Sequence, residues 1–185
     1  MIEIVFLLEE RSAEAMLQGL LPRLLPEGVQ VRYVVFEGKQ DLEKQLVRRM
    51  TGYLVPKARF VVLQDQDGGN CNQIKEKLAA KCVEAGKPDA LVRIVCRELE
   101  TWYLADLVAV ERGLSVSNLA RLQNKKPYRS PDSLPRPSKQ MARIAPSYQK
   151  VGGSRSIGSH LDPNNTRSHS FAVFVTGLKR LINKN

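Results

Sequence analysis

Short apolar runs alternate with segments of helical periodicity over the first hundred residues of the chain. Four runs rich in β-branched residues predict strands at positions 2–8, 29–36, 60–64 and 91–96. Between them, apolar residues recur every three or four positions and predict helices that begin near residues 12, 39 and 70. This alternation predicts an α/β fold with a parallel four-stranded sheet and helices on both faces.

The pattern changes after residue 110. Residues 124–137 are rich in proline and basic side chains and are predicted to be irregular, and a short helix is predicted at 139–144. Residues 148–160 mix Gly, Ser, Lys and Arg, which predicts a loop with backbone N–H groups and cations available to phosphate. Polar caps at 164–170 precede a final amphipathic helix at 171–182. We therefore expect residues 1–110 to form a core and residues 111–185 to form a basic, loop-rich and helical extension packed on it, as a single compact domain.

Charge is divided unevenly between these two parts. Residues 1–110 contain 15 Lys and Arg against 16 Asp and Glu, whereas residues 111–185 contain 14 against 3. Because basic surfaces attract phosphate backbones, nucleic acid is the expected partner of the second part. A solvated basic face without a partner is the alternative.

Membrane insertion and metal binding by cysteine are not expected. No stretch approaches eighteen apolar residues, and the apolar run at 2–8 is too short for a signal peptide and contains Glu3. Cys71, Cys82 and Cys96 are odd in number and lack paired C-x-x-C spacing. They are typical of reduced thiols in a cytoplasmic protein, and no zinc site is expected.

Acidic side chains stand where predicted strands end. The third strand leads into Asp65 and Asp67, and the first ends at Glu9. Open α/β sheets bind ligands at the carboxyl ends of their strands, and residues two apart in extended backbone project to the same side. Carboxylates this close repel one another unless a cation lies between them, and Mg²⁺ prefers oxygen ligands. A surface Asp-rich turn, with Glu9 as an ordinary helix-start acid, is the alternative.

A fourth carboxylate, Glu100, follows the last predicted strand in a segment dense in acids and aromatic residues. Its position after a strand end allows it to reach the same edge of the sheet. The alternative is a structural ion pair with Arg97 or Lys75. Trp102 and Leu104 in the same segment are predicted to pack in the core.

These residues resemble a known fold family. Glu9 and the Asp65-Gln66-Asp67 triplet resemble the Glu and Asp-x-Asp pattern of the Toprim fold, which topoisomerases, primases, recombination proteins and overcoming-lysogenization-defect (OLD) nucleases share. Over nearly the whole chain, the segments LLEERSAEAMLQGLLP, GKQDLEK, FVVLQDQD, RELETWYLAD, YQKVGGSRSIG and NNTRSHSF resemble the Toprim-related bacterial family called domain of unknown function 4276. Toprim sequences generally have Gly where this chain has Glu10. Either Glu9 or Glu10 therefore faces the metal, and Glu9 is favoured.

The resemblance implies Mg²⁺-dependent or Mn²⁺-dependent cleavage of phosphodiester bonds in DNA or RNA. Asp65 and Asp67 would hold the metal, and Glu9 would act as a further ligand or handle a proton. Glu100 would complete a second metal position. Such a metal polarises the scissile phosphate and lowers the pKa of the attacking water.

The resemblance also implies partners. Lys150, Arg155 and Arg167 would neutralise phosphate charge without reading bases. Similar proteins are often found beside ATPases in phage-defence systems, so an ATPase partner is expected, and the chain itself has no Walker A sequence. The main alternative is a non-catalytic nucleic-acid-binding or regulatory subunit on the same scaffold. A receiver-like phosphoacceptor domain ranks lower because it gives the basic half no role.

Overall fold

The computed structural model describes residues 2–184, which form one sheet with helices on both of its faces. The strands are β1 (Ile2–Leu8), β2 (Val29–Val35), β3 (Arg59–Asp65) and β4 (Leu91–Val95). The α-helices are α1 (Arg11–Leu20), α2 (Lys39–Thr51), α3 (Cys71–Glu84), α4 (Glu100–Leu104), α5 (Leu107–Leu114), α6 (Lys126–Arg129), α7 (Pro137–Ile144), α8 (Lys150–Gly158) and α9 (His169–Asn183). No helix among the described residues is both long and apolar enough to cross a membrane.

The sheet has the strand order β2-β1-β3-β4, and all three pairings are parallel. Leu8 at the end of β1 pairs with Leu63, and Asp65 at the end of β3 pairs with Val95. The carboxyl ends of β1, β3 and β4 therefore lie side by side. The predicted α/β fold with a parallel four-stranded sheet is confirmed.

The two faces of the sheet support separate hydrophobic clusters. Alternate residues of a strand point to opposite faces, so Phe6 and Leu8 belong to one cluster, and Val5 and Leu7 belong to the other. Helices α2 and α3 cover the face of Val5 and Leu7. Helix α1 and the helices that follow β4 cover the opposite face. The alternation of strands and helices along the chain thus produces three layers.

Trp102 connects the larger cluster to the last helix. The indole is buried between Phe171 and Phe174 of α9, with ring centroids 5.1 Å from each. Its Nε1 donates a hydrogen bond to Ser170 Oγ at 2.9 Å. Leu104 is fully buried as well. The predicted packing role of Trp102 and Leu104 is confirmed.

The predicted loop at 148–160 is wrong, because most of it is helix α8. Its glycines permit close helix packing and do not mark a turn. A Cβ at Gly19 of α1 would lie 2.5 Å from the backbone N of Ser159 and 2.6 Å from the carbonyl of Arg155, and a Cβ at Gly158 would overlap the carbonyl of Met16. Helices α1 and α8 therefore touch backbone to backbone, and amides inside α8 serve its own helical hydrogen bonds.

Most other elements end within two residues of their predicted limits. Helix α7 begins at Pro137, a residue favoured in the first helical turn. Helix α9 begins at His169 after the N-cap Ser168, whose hydroxyl accepts a hydrogen bond from Phe171 N. The segment predicted to be irregular contains the single turn α6 and a 3-10 turn at Pro131–Ser133.

Candidate active site

Two carboxylates meet where β1 and β3 end side by side. Asp65 is the last residue of β3, and Glu9 directly follows β1. The backbone N of Asp65 donates a hydrogen bond to Glu9 Oε2 at 3.0 Å. The backbone N of Leu99, beyond β4, donates to Asp65 Oδ2 at 3.1 Å. Backbone groups of neighbouring strand ends thus orient both carboxylates.

Asp65 lies among three further acids. Burial, followed by the negative charges of Glu10 and Glu9, raises the pKa of Asp65 well above its usual value, and Glu100 adds to this. The amide of Leu99 opposes the rise in pKa without cancelling it. Repulsion between carboxylates in a poorly solvated position is relieved by a proton or by a cation.

Glu10 forms an ion pair with a lysine that is distant in sequence. It occupies the N-cap position of α1, where its carboxylate accepts a hydrogen bond from the hydroxyl of Ser12. Lys150 Nζ, on α8, forms an ion pair with Glu10 Oε2 at 2.5 Å. Burial lowers the pKa of Lys150, but the bond to Glu10 and the charges of Glu100 and Asp65 outweigh it and raise the pKa. Lys150, which was predicted to bind phosphate, therefore contacts the carboxylate of Glu10.

Asp67 does not lie on the same strand face as Asp65, so that expectation was wrong. It follows the end of β3 in the left-handed region with φ 52°, and its backbone N donates to the carbonyl of Arg97 at 2.7 Å. Its exposed carboxylate accepts a hydrogen bond from Lys39 Nζ at 2.9 Å. Burial raises the pKa of Glu9, and the negative charge of Asp67 contributes to that rise. The negative charges of Asp67 and Glu9 therefore repel one another.

Glu100 is buried at the start of α4, with 3% of its surface exposed. The hydroxyl of Tyr148 donates a hydrogen bond to Glu100 Oε1 at 3.0 Å and lies 3.2 Å from Ser154 Oγ. Burial raises the pKa of Glu100, and the Tyr148 bond partly opposes that rise. The partner of Glu100 is thus a tyrosine and not the Arg97 or Lys75 considered from the sequence.

A second tyrosine lies behind this contact. Tyr103 is fully buried, and its hydroxyl has no hydrogen-bond partner within residues 2–184. Its ring meets that of Tyr148 edge to face, with centroids 6.1 Å apart. Burial raises the pKa of Tyr103 well above its usual value, and the charges of Glu100 and Asp65 add to the effect. The phenol therefore lies within the field of the carboxylates.

We call Glu9, Glu10, Asp65 and Glu100 the acidic cluster. Its oxygen donors suit Mg²⁺ or Mn²⁺, and a divalent cation would relieve the repulsion between Asp65 and the neighbouring glutamates. Within residues 2–184, no three acidic, His or Cys side chains are already arranged as a metal cage. The ammonium groups of Lys39 and Lys150 supply the positive charge at the two sides of the site. A metal would compete with these lysines for carboxylate oxygens.

Arg155 and Arg167, the other predicted phosphate contacts, are both exposed. Arg155 lies five residues after Lys150 on α8 and so on a different face of that helix. Arg167 precedes α9, and its backbone N donates to Asn165 Oδ1 at 2.9 Å. Neither arginine forms an ion pair within the described part of the chain. Their side chains are free to meet a ligand.

Three side chains of the site were missed from the sequence. Lys39 follows Gly38, whose φ of 93° shapes the turn between β2 and α2. Tyr148 reaches Glu100 and Tyr103 only through the tertiary fold, whereas Tyr103 lies one helical turn after Glu100 in α4. The glycine before Lys39 was a usable signal for a tight turn at the sheet edge. The i to i+3 spacing of Glu100 and Tyr103 was a second signal, whereas nothing local to Tyr148 indicates its neighbours.

The chain is similar to one protein family and to a solved structure. The family model described as domain of unknown function (DUF4276) matches residues 8–179. Among solved structures, the C-terminal region of the Burkholderia pseudomallei OLD protein is similar, with a TM-score of 0.50 at 14% identity over 97% of this chain and 98% of that chain. At this identity the likeness concerns the fold alone. No curated protein matches the chain.

Proposed function

This chain belongs to the Toprim-related DUF4276 family, and on that premise we propose that it is a Mg²⁺-dependent or Mn²⁺-dependent nuclease that cleaves phosphodiester bonds of DNA or RNA. The observation that carries the proposal is the environment of Asp65. Asp65 lies at the carboxyl edge of a parallel sheet, and its backbone N donates a hydrogen bond to Glu9. Burial, followed by the charges of Glu10, Glu9 and Glu100, raises the pKa of Asp65. Perturbed carboxylates of this kind are typical of functional sites.

Glu9 and Asp65 would hold the cation, because backbone amides already fix one oxygen of each carboxylate. Glu10 and Asp67 would complete the ligand set. When bound, the cation would polarise the scissile phosphate and favour ionisation of the attacking water. The C-terminal region of the OLD protein has a similar fold, and open α/β sheets bind ligands at the carboxyl ends of their strands.

Proton handling falls to Glu100 in this proposal. Its raised pKa lets it hold a proton more readily than an exposed glutamate, as a general acid near neutral pH requires. The Tyr148 hydroxyl fixes the orientation of that carboxyl group. The side chain of Lys150 would exchange its ion pair with Glu10 for one with a phosphate oxygen of the substrate. A cation in that position stabilises the negative charge that develops in the transition state. Arg155 and Arg167 would contact phosphates further from the reaction.

We extend the proposal to bacterial anti-phage defence with an ATPase partner. This extension rests on the resemblance of the chain to proteins found beside ATPases. Co-purification of the chain with an ATPase encoded next to it tests the partner directly. Recovery of the chain alone under conditions that preserve such complexes would contradict this part of the proposal and leave the nuclease activity to be judged separately.

The decisive experiment incubates labelled plasmid DNA and total tRNA with the purified chain in Mg²⁺, in Mn²⁺ and in chelator. Asp65→Asn should reduce cleavage at least about 10²-fold, because it removes a metal ligand. Nucleic-acid affinity should stay nearly unchanged, because every Lys and Arg side chain that could bind phosphate is retained. Asp89→Asn is the matched control, since Asp89 is an exposed carboxylate paired with Lys184 away from the site. Equal cleavage by Asp65→Asn and wild-type protein would refute the proposal.

A second candidate is a nucleic-acid-binding or regulatory subunit without catalysis. The ion pairs of Lys39 with Asp67 and of Lys150 with Glu10 favour it, because they neutralise part of the site without a metal. This function predicts tight, salt-sensitive binding with no cleavage in any metal. It also predicts that millimolar Mg²⁺ leaves the Tm unchanged, whereas a metal site stabilises the folded state by mass action.

A further inference from the structure

Seven basic side chains lie close together in sequence between residues 121 and 143, and all seven are exposed. They are Arg121, Lys125, Lys126, Arg129, Arg136, Lys139 and Arg143. None forms an ion pair with any residue between positions 2 and 184. The one acid of the segment, Asp132, is half-buried: its Oδ1 is buried, and its Oδ2 accepts a hydrogen bond from the backbone N of His169 at 2.8 Å. The segment 121–143, here called the basic segment, therefore presents positive charge without internal compensation.

The basic segment is held rigidly by its other residues. Tyr128, Leu134 and Met141 are buried in the larger hydrophobic cluster. The buried side chain of Gln123 accepts a hydrogen bond from Leu107 N at 2.8 Å and donates to the carbonyl of Tyr128 at 3.0 Å. The cations consequently stand on a fixed backbone, so binding a ligand would cost little ordering of the chain.

The segment lies beside the connection that leads to the acidic cluster. Ser138 N, at the start of α7, donates a hydrogen bond to Glu98 Oε2 at 2.6 Å. The thiol of Cys96 donates to the carbonyl of Asp132 at 3.3 Å. Cys96 and Glu98 both belong to the short connection between β4 and Glu100 of α4. The backbone of the basic segment thus lies against the connection that leads into the helix of Glu100.

We propose that the basic segment is a nucleic-acid-binding surface that holds the sugar–phosphate backbone and directs it to the acidic cluster. The inference deepens the proposed function and rests on it for the direction toward the cluster, but binding by the segment needs no metal. Exposed, uncompensated Lys and Arg on rigid backbone bind phosphates and release counterions. Contacts to the backbone give affinity and register without sequence preference.

An anionic membrane surface is the other ligand that attracts such cations. Surface helices that bind membranes also insert large apolar side chains between the lipid headgroups. The large hydrophobic residues with extensive exposure lie elsewhere in the described chain, and none lies between 121 and 143. Nucleic acid is therefore the favoured partner.

The test measures binding of fluorescent duplex DNA, single-stranded DNA and an RNA hairpin in chelator, so that neither metal nor cleavage contributes. Two variants each remove three cations of the basic segment, namely Lys125→Gln/Lys126→Gln/Arg129→Gln and Arg136→Gln/Lys139→Gln/Arg143→Gln. The matched control removes three exposed cations from the end of α2 and the connection between α2 and β3, namely Arg48→Gln/Arg49→Gln/Lys57→Gln. All three variants change the net charge equally, and their Tm values are checked against wild type.

Each segment variant should lower the slope of log affinity against log salt by about 2 to 3, because each lost phosphate contact contributes about 0.9 for duplex DNA and about 0.7 for single strands. Affinity should fall about 10-fold to 100-fold near physiological salt, and the control should retain nearly wild-type values. Equal losses in the control and segment variants would overturn the proposal, since net charge alone would then explain binding. Binding to anionic vesicles but to none of the three nucleic acids would overturn it too.

Failure of this inference differs from failure of the nuclease function. Lost binding in the segment variants, without cleavage by wild-type protein under any condition, would support the surface and refute the nuclease. Metal-dependent cleavage that the segment variants retain in full, with unchanged affinity, would support the nuclease and overturn the surface.

Discussion

The hydroxyl of Tyr148 lies 3.0 Å from the buried carboxylate of Glu100 and donates a hydrogen bond to it. Gly153 makes this position possible, because a Cβ there would lie 2.6 Å from Cδ2 of the Tyr148 ring. Burial raises the pKa of Tyr148, so the phenol remains a donor throughout the neutral range. A residue of the basic part of the chain thus sets the environment of an acid on α4.

Replacing Tyr148 with phenylalanine should slow cleavage by about 10-fold, because Glu100 loses the group that orients it. In the wild-type protein the hydrogen bond from Tyr148 lowers the pKa of Glu100. The variant lacks this bond, so the pKa of Glu100 should be higher in the variant. If Glu100 acts as the acid, the alkaline limb of the pH–rate profile moves to higher pH. Tyr33→Phe, on β2 and stacked on Phe6, is the control and should leave the profile unchanged.

Gly153→Ala and Gly152→Ala should change stability in opposite directions. Ala at position 153 collides with the Tyr148 ring, and overpacking of this kind costs about 1–3 kcal/mol. Nothing lies within 4 Å of a Cβ at Gly152, where alanine gains up to about 1 kcal/mol from helix propensity. Thermal unfolding of both variants checks the prediction. A lower Tm for Gly152→Ala than for Gly153→Ala would show that the ring does not pack as described.

Asp65→Asn should stabilise the protein in the absence of divalent cations. The folded-state pKa of Asp65 lies above its unfolded value, so its contribution to stability is present at low pH and is lost as the pH rises through the folded pKa. The asparagine side chain does not ionise, so the variant does not lose this stability as the pH rises. Its carbonyl oxygen can still accept the hydrogen bond from the backbone N of Leu99. At neutral pH in chelator the Tm should therefore rise, and each gain of about 1 kcal/mol corresponds to about 2–4 °C at this size.

The same variant provides its own internal check. Wild-type protein should gain Tm when Mg²⁺ is added, whereas Asp65→Asn should gain little. Asp89→Asn, at an exposed ion pair, should behave like wild type in both conditions. A destabilised, Mg²⁺-responsive Asp65→Asn protein would show that repulsion at Asp65 is not the dominant interaction.

Lys39→Gln should tighten binding of Mg²⁺ by a few fold. The ammonium group of Lys39 occupies the Asp67 carboxylate at 2.9 Å and adds positive charge near Glu9, so it competes with a cation. Lys77→Gln is the control, because Lys77 forms a comparably exposed ion pair with Glu43 along the neighbouring helices. Calorimetric titration with Mg²⁺ distinguishes the two. Weaker binding of Mg²⁺ by Lys39→Gln would contradict the prediction and would show that Lys39 favours binding of the metal.

The sheet and its helices followed from the sequence because local patterns determine them. Strand β3 is a β-branched run flanked by turn residues, and α2 carries a regular apolar stripe ending at Met50. Four strands separated by helices leave few topologies other than a parallel sheet. The gathering of Glu9, Asp65 and Glu100 at one edge was predictable for the same reason.

The failures arose where tertiary contacts override local preference. Glycines at 152, 153 and 158 favoured a loop, yet a helix is required there because α8 packs directly on the backbone of α1. Asp67 was expected on an extended strand, but its left-handed backbone depends on a hydrogen bond to Arg97, thirty residues away in sequence. The partnership of Glu10 with Lys150 likewise depends on contacts between distant segments.

The turns after β3 and β4 are joined to each other. Asp67 and Arg97 both adopt the left-handed conformation, and Asp67 N donates to the Arg97 carbonyl while Arg97 N donates to Gln66 Oε1 at 3.1 Å. Neither turn can therefore change shape without disturbing the other. A ligand that draws Asp65 or Asp67 out of position would have to move the start of the Glu100 helix as well. Binding at the end of β3 would then also act on the hydrogen bonds at the end of β4.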